Sequence, residues 1–159
     1  MNSLAKFCAA SVLACMAITF SFNAKALEEK PLGLDDLRWK HRVILVFARE
    51  PYTSNALANL EQLAAEVEER DIAWFVLDDN ALHTNYSGKL EVDLRSQLLD
   101  RYFTPVPTET AVLLIGKDGT LKSRSSNLDF EAEFGLIDQM PMRREEMRRK
   151  SGVTDRSGT

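Results

Sequence analysis

The stretch Arg42-Val43-Ile44-Leu45-Val46-Phe47-Ala48, followed by Arg49-Glu50-Pro51-Tyr52-Thr53-Ser54, decides how the rest of the chain is read. Six apolar residues with charge at each end predict a strand buried on both faces. A helical pattern begins directly after the turn. Leu57, Leu60, Leu63, Ala64 and Val67 recur at spacings of three and four, which places them on one helical face, with Thr53 or Ser54 expected as the N-cap. A second apolar run, Ile72 to Leu77, then predicts a second buried strand. Strand, helix and strand form a βαβ unit, whose strands are parallel and whose crossover is right-handed. Ligands in such sheets bind at the carboxyl ends of the strands, so the turn Arg49–Ser54 is the expected site.

Downstream, Asp78 to Lys89 is polar and reads as an irregular loop. Leu94, Leu98, Leu99 and Tyr102 predict a second amphipathic helix, stopped by Pro105 and Pro107. Ala111 to Ile115 is a third apolar strand, and Asp118-Gly119 marks a hairpin into the alternating edge strand Leu121–Ser125. Ser126, three residues before Asp129, is the expected start of a helix faced by Phe130, Phe134, Ile137 and Met140. Pro141 opens a basic helix expected to run to Lys150, supported by Glu145–Arg149 and Glu146–Lys150 pairs, with residues 151–159 as a disordered tail.

Upstream, Lys6, the apolar run Phe7–Phe22 and Ala24-Lys25-Ala26 have the layout of a secretory signal peptide cleaved after Ala26. A lipoprotein site at Cys15 is the alternative, weakened by the apolar residues that continue beyond it. Residues 34–39 predict one helical turn that lays Leu34, Leu37 and Trp39 on the body. The expected organisation is a signal peptide (1–26), a single α/β domain (27–140), a basic helix (141–150) and a tail. The implied location is the periplasm or the medium, with no membrane span after cleavage.

Cys8 and Cys15 are the only cysteines, and both precede Ala26. The remaining chain therefore has no thiol nucleophile, disulfide or thiolate metal site. Residues 27–140 carry 12 basic and 21 acidic side chains, an acidic balance that argues against nucleic acid as a partner.

The order β-α-β-α-β-β-α is that of the thioredoxin core. Three segments add a resemblance: Pro31 to Ala48; Val112-Leu113-Leu114-Ile115-Gly116-Lys117-Asp118-Gly119; and Ile137-Asp138-Gln139-Met140-Pro141-Met142-Arg143-Arg144-Glu145-Glu146-Met147. On these the chain resembles a family of exported thioredoxin-like proteins known only as a domain of unknown function, with relatives among vertebrate extracellular-matrix and sushi-repeat proteins. The resemblance implies a thioredoxin-like fold and no particular reaction. It also places Pro51 and Ser54 where thioredoxins carry their two active-site cysteines. Pro107 is the nearest counterpart of the cis-proline that thioredoxins place before the third strand.

The expected function is therefore a redox-inactive module that binds a protein, peptide or small anion. Helix-start N–H groups, Tyr52, the hydroxyls of Thr53 and Ser54, the guanidinium of Arg49 and Pro107 would form the pocket. Asp78, Asp79 and His83 should lie at the same sheet edge, where an aspartate can pair with Arg49. No metal or cofactor is expected: Asp78-Asp79-Asn80 lacks the spacing of a calcium loop, and two histidines do not make a zinc centre. Two alternatives accompany this reading. One is an enzyme with non-thiol chemistry that uses Arg49, Asp78 and His83. The other is a structural envelope protein that docks through its C-terminal helix, with Met140, Met142 and Met147 as contacts.

Overall fold

The structure, a computed structural model, describes residues 32–154. The expected signal peptide, the Cys15 alternative and residues 155–159 lie outside the described residues. Three strands, β1 (Arg42–Phe47), β2 (Ile72–Leu77) and β4 (Ala111–Ile115), are buried at every position. A short β3 (Leu82–Thr84) and the edge strand β5 (Leu121–Ser125) complete a sheet of order β3-β2-β1-β4-β5. β1 and β2 are parallel, with Phe47 opposite Leu77, and the other strand pairings within the sheet are antiparallel. A parallel βαβ half beside an antiparallel hairpin half is the thioredoxin-like arrangement.

Alternation along the strands divides the core in two. Val43, Leu45, Phe47, Phe75, Leu77 and Leu113 face one way, against Leu94, Leu98 and Phe103. The first two of these belong to α3 (Leu94–Tyr102) and Phe103 ends it. Ile44, Val46, Trp74, Val76 and Leu114 face the other way. There they meet Ala56 and Leu60 of α1 (Tyr52–Gln62), Val67 of α2 (Ala64–Glu69), and Phe130, Phe134 and Ile137 of α4 (Phe130–Gln139). Helices on both faces explain why the three central strands read as unbroken apolar runs.

Several local expectations are corrected. The expected single first helix is two, broken at Leu63, and Ala64 faces solvent. Neither Thr53 nor Ser54 caps α1, because the helix begins at Tyr52 and both lie inside its first turn. Thr53 Oγ1 donates to the Ala48 carbonyl at 2.9 Å and Ser54 Oγ donates to the Glu50 carboxylate. The cap of α4 is Asp129, whose carboxylate accepts from Ala132 N at 2.9 Å, and not Ser126. Residues 34–37 form a 3-10 turn that buries Leu37, but Trp39 adopts φ 66° and stays 64% exposed. Its N–H donates to the Lys117 carbonyl at 2.7 Å.

The last helix, α5 (Pro141–Thr154), begins where expected and continues past Lys150. Residues 151–154, read as the start of a disordered tail, are thus helical; Ser151 Oγ donates back to the Met147 carbonyl at 2.9 Å. α5 packs on its own domain through charge. Arg143, 1% exposed, donates to the Glu69 carboxylate (2.6 Å), to the Glu69 carbonyl (2.9 Å) and to Asp138 (3.1 Å). Glu146 accepts from Arg42 at 3.1 Å and from Lys117 at 2.8 Å. Arg70 holds Asp138 from the other side at 2.7 Å, and Lys117 reaches Asp71 at 2.8 Å. This polar belt sits at the amino ends of β1 and β2. It draws on α2, α4, α5 and the β4–β5 turn.

Candidate functional site

The site expected from the sequence lies at the other end of β1. The Ala48 N–H donates to the Leu77 carbonyl at 3.0 Å, so β1 and β2 deliver their following turns to the same edge. Arg49 crosses between those turns. Its Nε donates to both carboxylate oxygens of Asp79 at 3.0 Å, and its Nη1 donates to the carbonyls of Pro107 (3.0 Å) and Thr108 (3.2 Å). The guanidinium also lies 5.1 Å from the centre of the Phe47 ring. Arg49 thereby ties together three loops that the sequence separates by roughly 30 residues each.

Asp78 has a different task. Its Oδ1 accepts from the N–H groups of Asn80 (2.7 Å) and Ala81 (2.6 Å), which closes the turn into β3. Its Oδ2 lies 3.3 Å from His83 Nε2. Burial pushes the Asp78 carboxyl up, but the two N–H groups and the imidazole outweigh it, so it titrates below its ordinary value. Arg95, on α3, donates to the carbonyls of Asp78 (2.7 Å) and Asp79 (2.6 Å). Nothing in the sequence marked Arg95, which reads there as one more charge on a helix surface.

Beside Arg49, an open groove of about 810 Å³ runs between α1, the loop before β4 and the β5–α4 loop. Tyr52, Asn55 and Asn59 line one wall, and Glu109, Ser126 and Asn127 line others. The predicted residues therefore divide. Arg49 and Tyr52 line the groove; Asp79 and Pro107 are tied to it through Arg49; Asp78 and His83 pair outside it. Thr53 is buried and turned inward, and Ser54 faces Glu50. The bond before Pro107 is trans, whereas those before Pro51 and Pro105 are cis; nearness to the strand in sequence does not select the isomer.

The small-anion reading loses its geometry here. The N–H groups of Tyr52 and Thr53 donate to the Arg49 carbonyl, and the Glu50 carboxylate already occupies the helix start beside Ser54. Both Glu50 and Glu109 line the groove, opposite the single cation Arg49, whose Nε and Nη1 are held by Asp79 and two carbonyls. No group of acidic, histidine or cysteine side chains among the described residues is arranged to hold a metal ion.

The topology, with Pro51 and Ser54 at the strand-to-helix turn, defines a thioredoxin-like domain with no cysteine at that turn. The chain belongs to the family described as a domain of unknown function, DUF4174, which matches residues 33–146. No curated protein matches it. Among solved structures it is similar to the crystal structure of the pneumococcal exposed lipoprotein thioredoxin Etrx1 from Streptococcus pneumoniae strain TIGR4. The identity is 15% and the TM-score 0.46, over 67% of this chain and 89% of that one. No helix among the described residues is long and apolar enough to cross a membrane.

Proposed function

We propose that the protein is an exported thioredoxin-like module without thiol chemistry, and that it holds an extended polypeptide segment in the groove beside Arg49. The supporting observation is the lining of that groove. Asn55, Asn59, Ser126 and Asn127 offer neutral donors and acceptors, which suit the alternating N–H and C=O groups of a peptide backbone. Tyr52, exposed at the groove's edge, supplies a rigid amphipathic surface for a side chain. The export signal supports a periplasmic or secreted location, with Leu27 as the first residue after cleavage.

The enzyme alternative has less support. Asp78 is engaged in holding its turn, and the Asp78–His83 pair does not face Arg49 across the groove. Docking through α5 is confined to its outer face, because Arg143 and Glu146 commit the inner one to the domain.

The test is an NMR titration with a permanently unfolded polypeptide, reduced and carboxymethylated α-lactalbumin. The expected result is perturbation of the side-chain amides of Asn55, Asn59 and Asn127, abolished in an Asn55→Asp/Asn127→Asp variant. Shifts confined to other surfaces, or none at all, would overturn the reading. N-terminal sequencing of the exported form, beginning at Leu27, tests the location.

A further inference from the structure

A second position for a polypeptide exists at the opposite edge of the sheet. β3 covers only the last three residues of β2, pairing Thr84, His83 and Leu82 with Phe75, Val76 and Leu77. The first half of that edge, Ile72 to Trp74, has no strand beside it among the described residues. Two of its outward backbone groups are instead met by one side chain. Asn85 Oδ1 accepts from Trp74 N at 2.9 Å, and Asn85 Nδ2 donates to the Ile72 carbonyl at 3.0 Å. The amide of Asn85 thus imitates the peptide group of a missing neighbour: one acceptor and one donor, at strand spacing.

Next to this edge lies an apolar groove of about 350 Å³. Leu60, Val67, Ile72 and Trp74 form its floor, and Glu61 and Glu68 stand exposed on its rim. It shares no residue with the groove beside Arg49. The side chains of Ile72 and Trp74 point to this face, so a residue paired opposite Trp74 would project over the same floor.

We propose that the Ile72–Trp74 edge is a strand-addition site held closed by Asn85, and that its occupant is an extended basic peptide. The occupant's backbone replaces the Asn85 amide at Trp74 N and the Ile72 carbonyl. An apolar side chain opposite Trp74 enters the groove. Because β3 already pairs with Phe75 and Val76, the peptide extends only toward Ile72, and a lysine two residues along, on the same face, meets the acidic rim of Glu61 and Glu68. The alternation of a strand fixes that spacing. This proposal does not rest on the groove beside Arg49.

The probe is the blocked pentapeptide valine-threonine-lysine-threonine-lysine, with a counterpart in which glutamate replaces both lysines as control. Trp39 and Trp74 are the only tryptophans, so a Trp39→Phe background leaves Trp74 as the sole fluorescent reporter. The expected result is a change in Trp74 emission, and a shift of its amide resonance, with the lysine peptide and not with the glutamate peptide. Asn85→Ala removes the competing amide and should tighten binding about tenfold. Glu61→Lys/Glu68→Lys, at exposed helix positions, should reverse the preference between the two peptides, which keeps the test decisive if Asn85→Ala folds poorly. Equal binding of both peptides, an unmoved Trp74 amide, or self-association of Asn85→Ala without peptide binding would overturn the proposal, the last in favour of a second copy as occupant.

Discussion

Arg42, the first residue of β1, and Glu146, in the second turn of α5, meet at 3.1 Å across 104 residues of chain. Arg42 is 1% exposed, and its other donor goes to the Arg70 carbonyl at 2.8 Å. A buried guanidinium is tolerated only where its donors are taken, and here the partners come from α5 and from the turn that precedes β2. The last helix is thus part of the fold's charge balance.

Arg143→Ala should lower stability by about 2 kcal/mol, because Glu69 and Asp138 lose a buried guanidinium but are partly exposed and keep Arg70 as a partner. Arg143→Lys should also be destabilised, since an ammonium cannot span both carboxylates and the Glu69 carbonyl. Urea denaturation provides the measure. An unchanged midpoint in both variants would mean that the belt contributes nothing to stability.

Acid should loosen the same belt. Glu146 titrates below its ordinary 4.5: burial raises it, but the Lys117 hydrogen bond and the charge of Arg42 outweigh burial. Asp138 is lowered in the same way, burial being overcome by Arg70 and Arg143, and Asp71 chiefly by Lys117. A carboxylate with a depressed folded-state pKa binds fewer protons than in the unfolded chain. Its stabilisation is complete above the unfolded value and is lost as pH falls through the folded one. The urea midpoint should therefore show no contribution from these groups to its slope above about pH 5, and should drop steadily below about pH 4. Glu146→Gln should lower the neutral-pH midpoint and flatten the acid limb; an acid limb identical to the parent's would count against this account.

Arg49→Ala should cost under about 1 kcal/mol, because the Arg49–Asp79 pair is solvent-exposed. Its larger effect should be on order. Without the donors to the Pro107 and Thr108 carbonyls, amides of residues 106–110 should exchange faster with deuterium, and binding of the unfolded polypeptide should weaken. Unchanged exchange in that loop would show that Arg49 does not hold the groove wall.

Asp129→Ala should cost about 1 kcal/mol through loss of the α4 cap, whereas Ser126→Ala should stay within about 0.5 kcal/mol. Thermal unfolding of the two variants distinguishes the observed helix start from the one that the Ser126–Asp129 spacing suggests.

The central strands and their order were legible in the sequence, because a strand covered on both faces leaves an uninterrupted apolar run. β3 was not: three half-buried residues, Leu82 to Thr84, carry neither an apolar run nor a clear alternation. That Asp78 and Asp79 leave the sheet at the edge of Arg49 followed from the parallel βαβ unit, but which of them pairs with it did not, nor did the groove walls, since Asn55, Asn59, Ser126 and Asn127 look like any surface polar residues. Capping also misled. Thr53 and Ser54 have the right chemistry for a helix start, and only the positions of Ala48 and Glu50 show where their hydroxyls go. Glu146 was expected to pair along its own helix. A buried arginine distant in sequence was the stronger partner, and no local pattern records that.

The family match ends at residue 146, and Glu146 is the residue that joins α5 to Arg42 and Lys117. The segment Ile137 to Met147 thus closes the polar belt, while the groove lies at the far end of β1. Six strand residues span roughly 20 Å, well beyond the distance at which substitutions in separate contacts influence one another. Changes around Arg49 and Asn55 should thus leave the belt untouched, and changes in the belt should leave the groove's selectivity intact. The domain is mutationally modular along a single strand: substitutions at one end should be read in stability, and substitutions at the other in the groove.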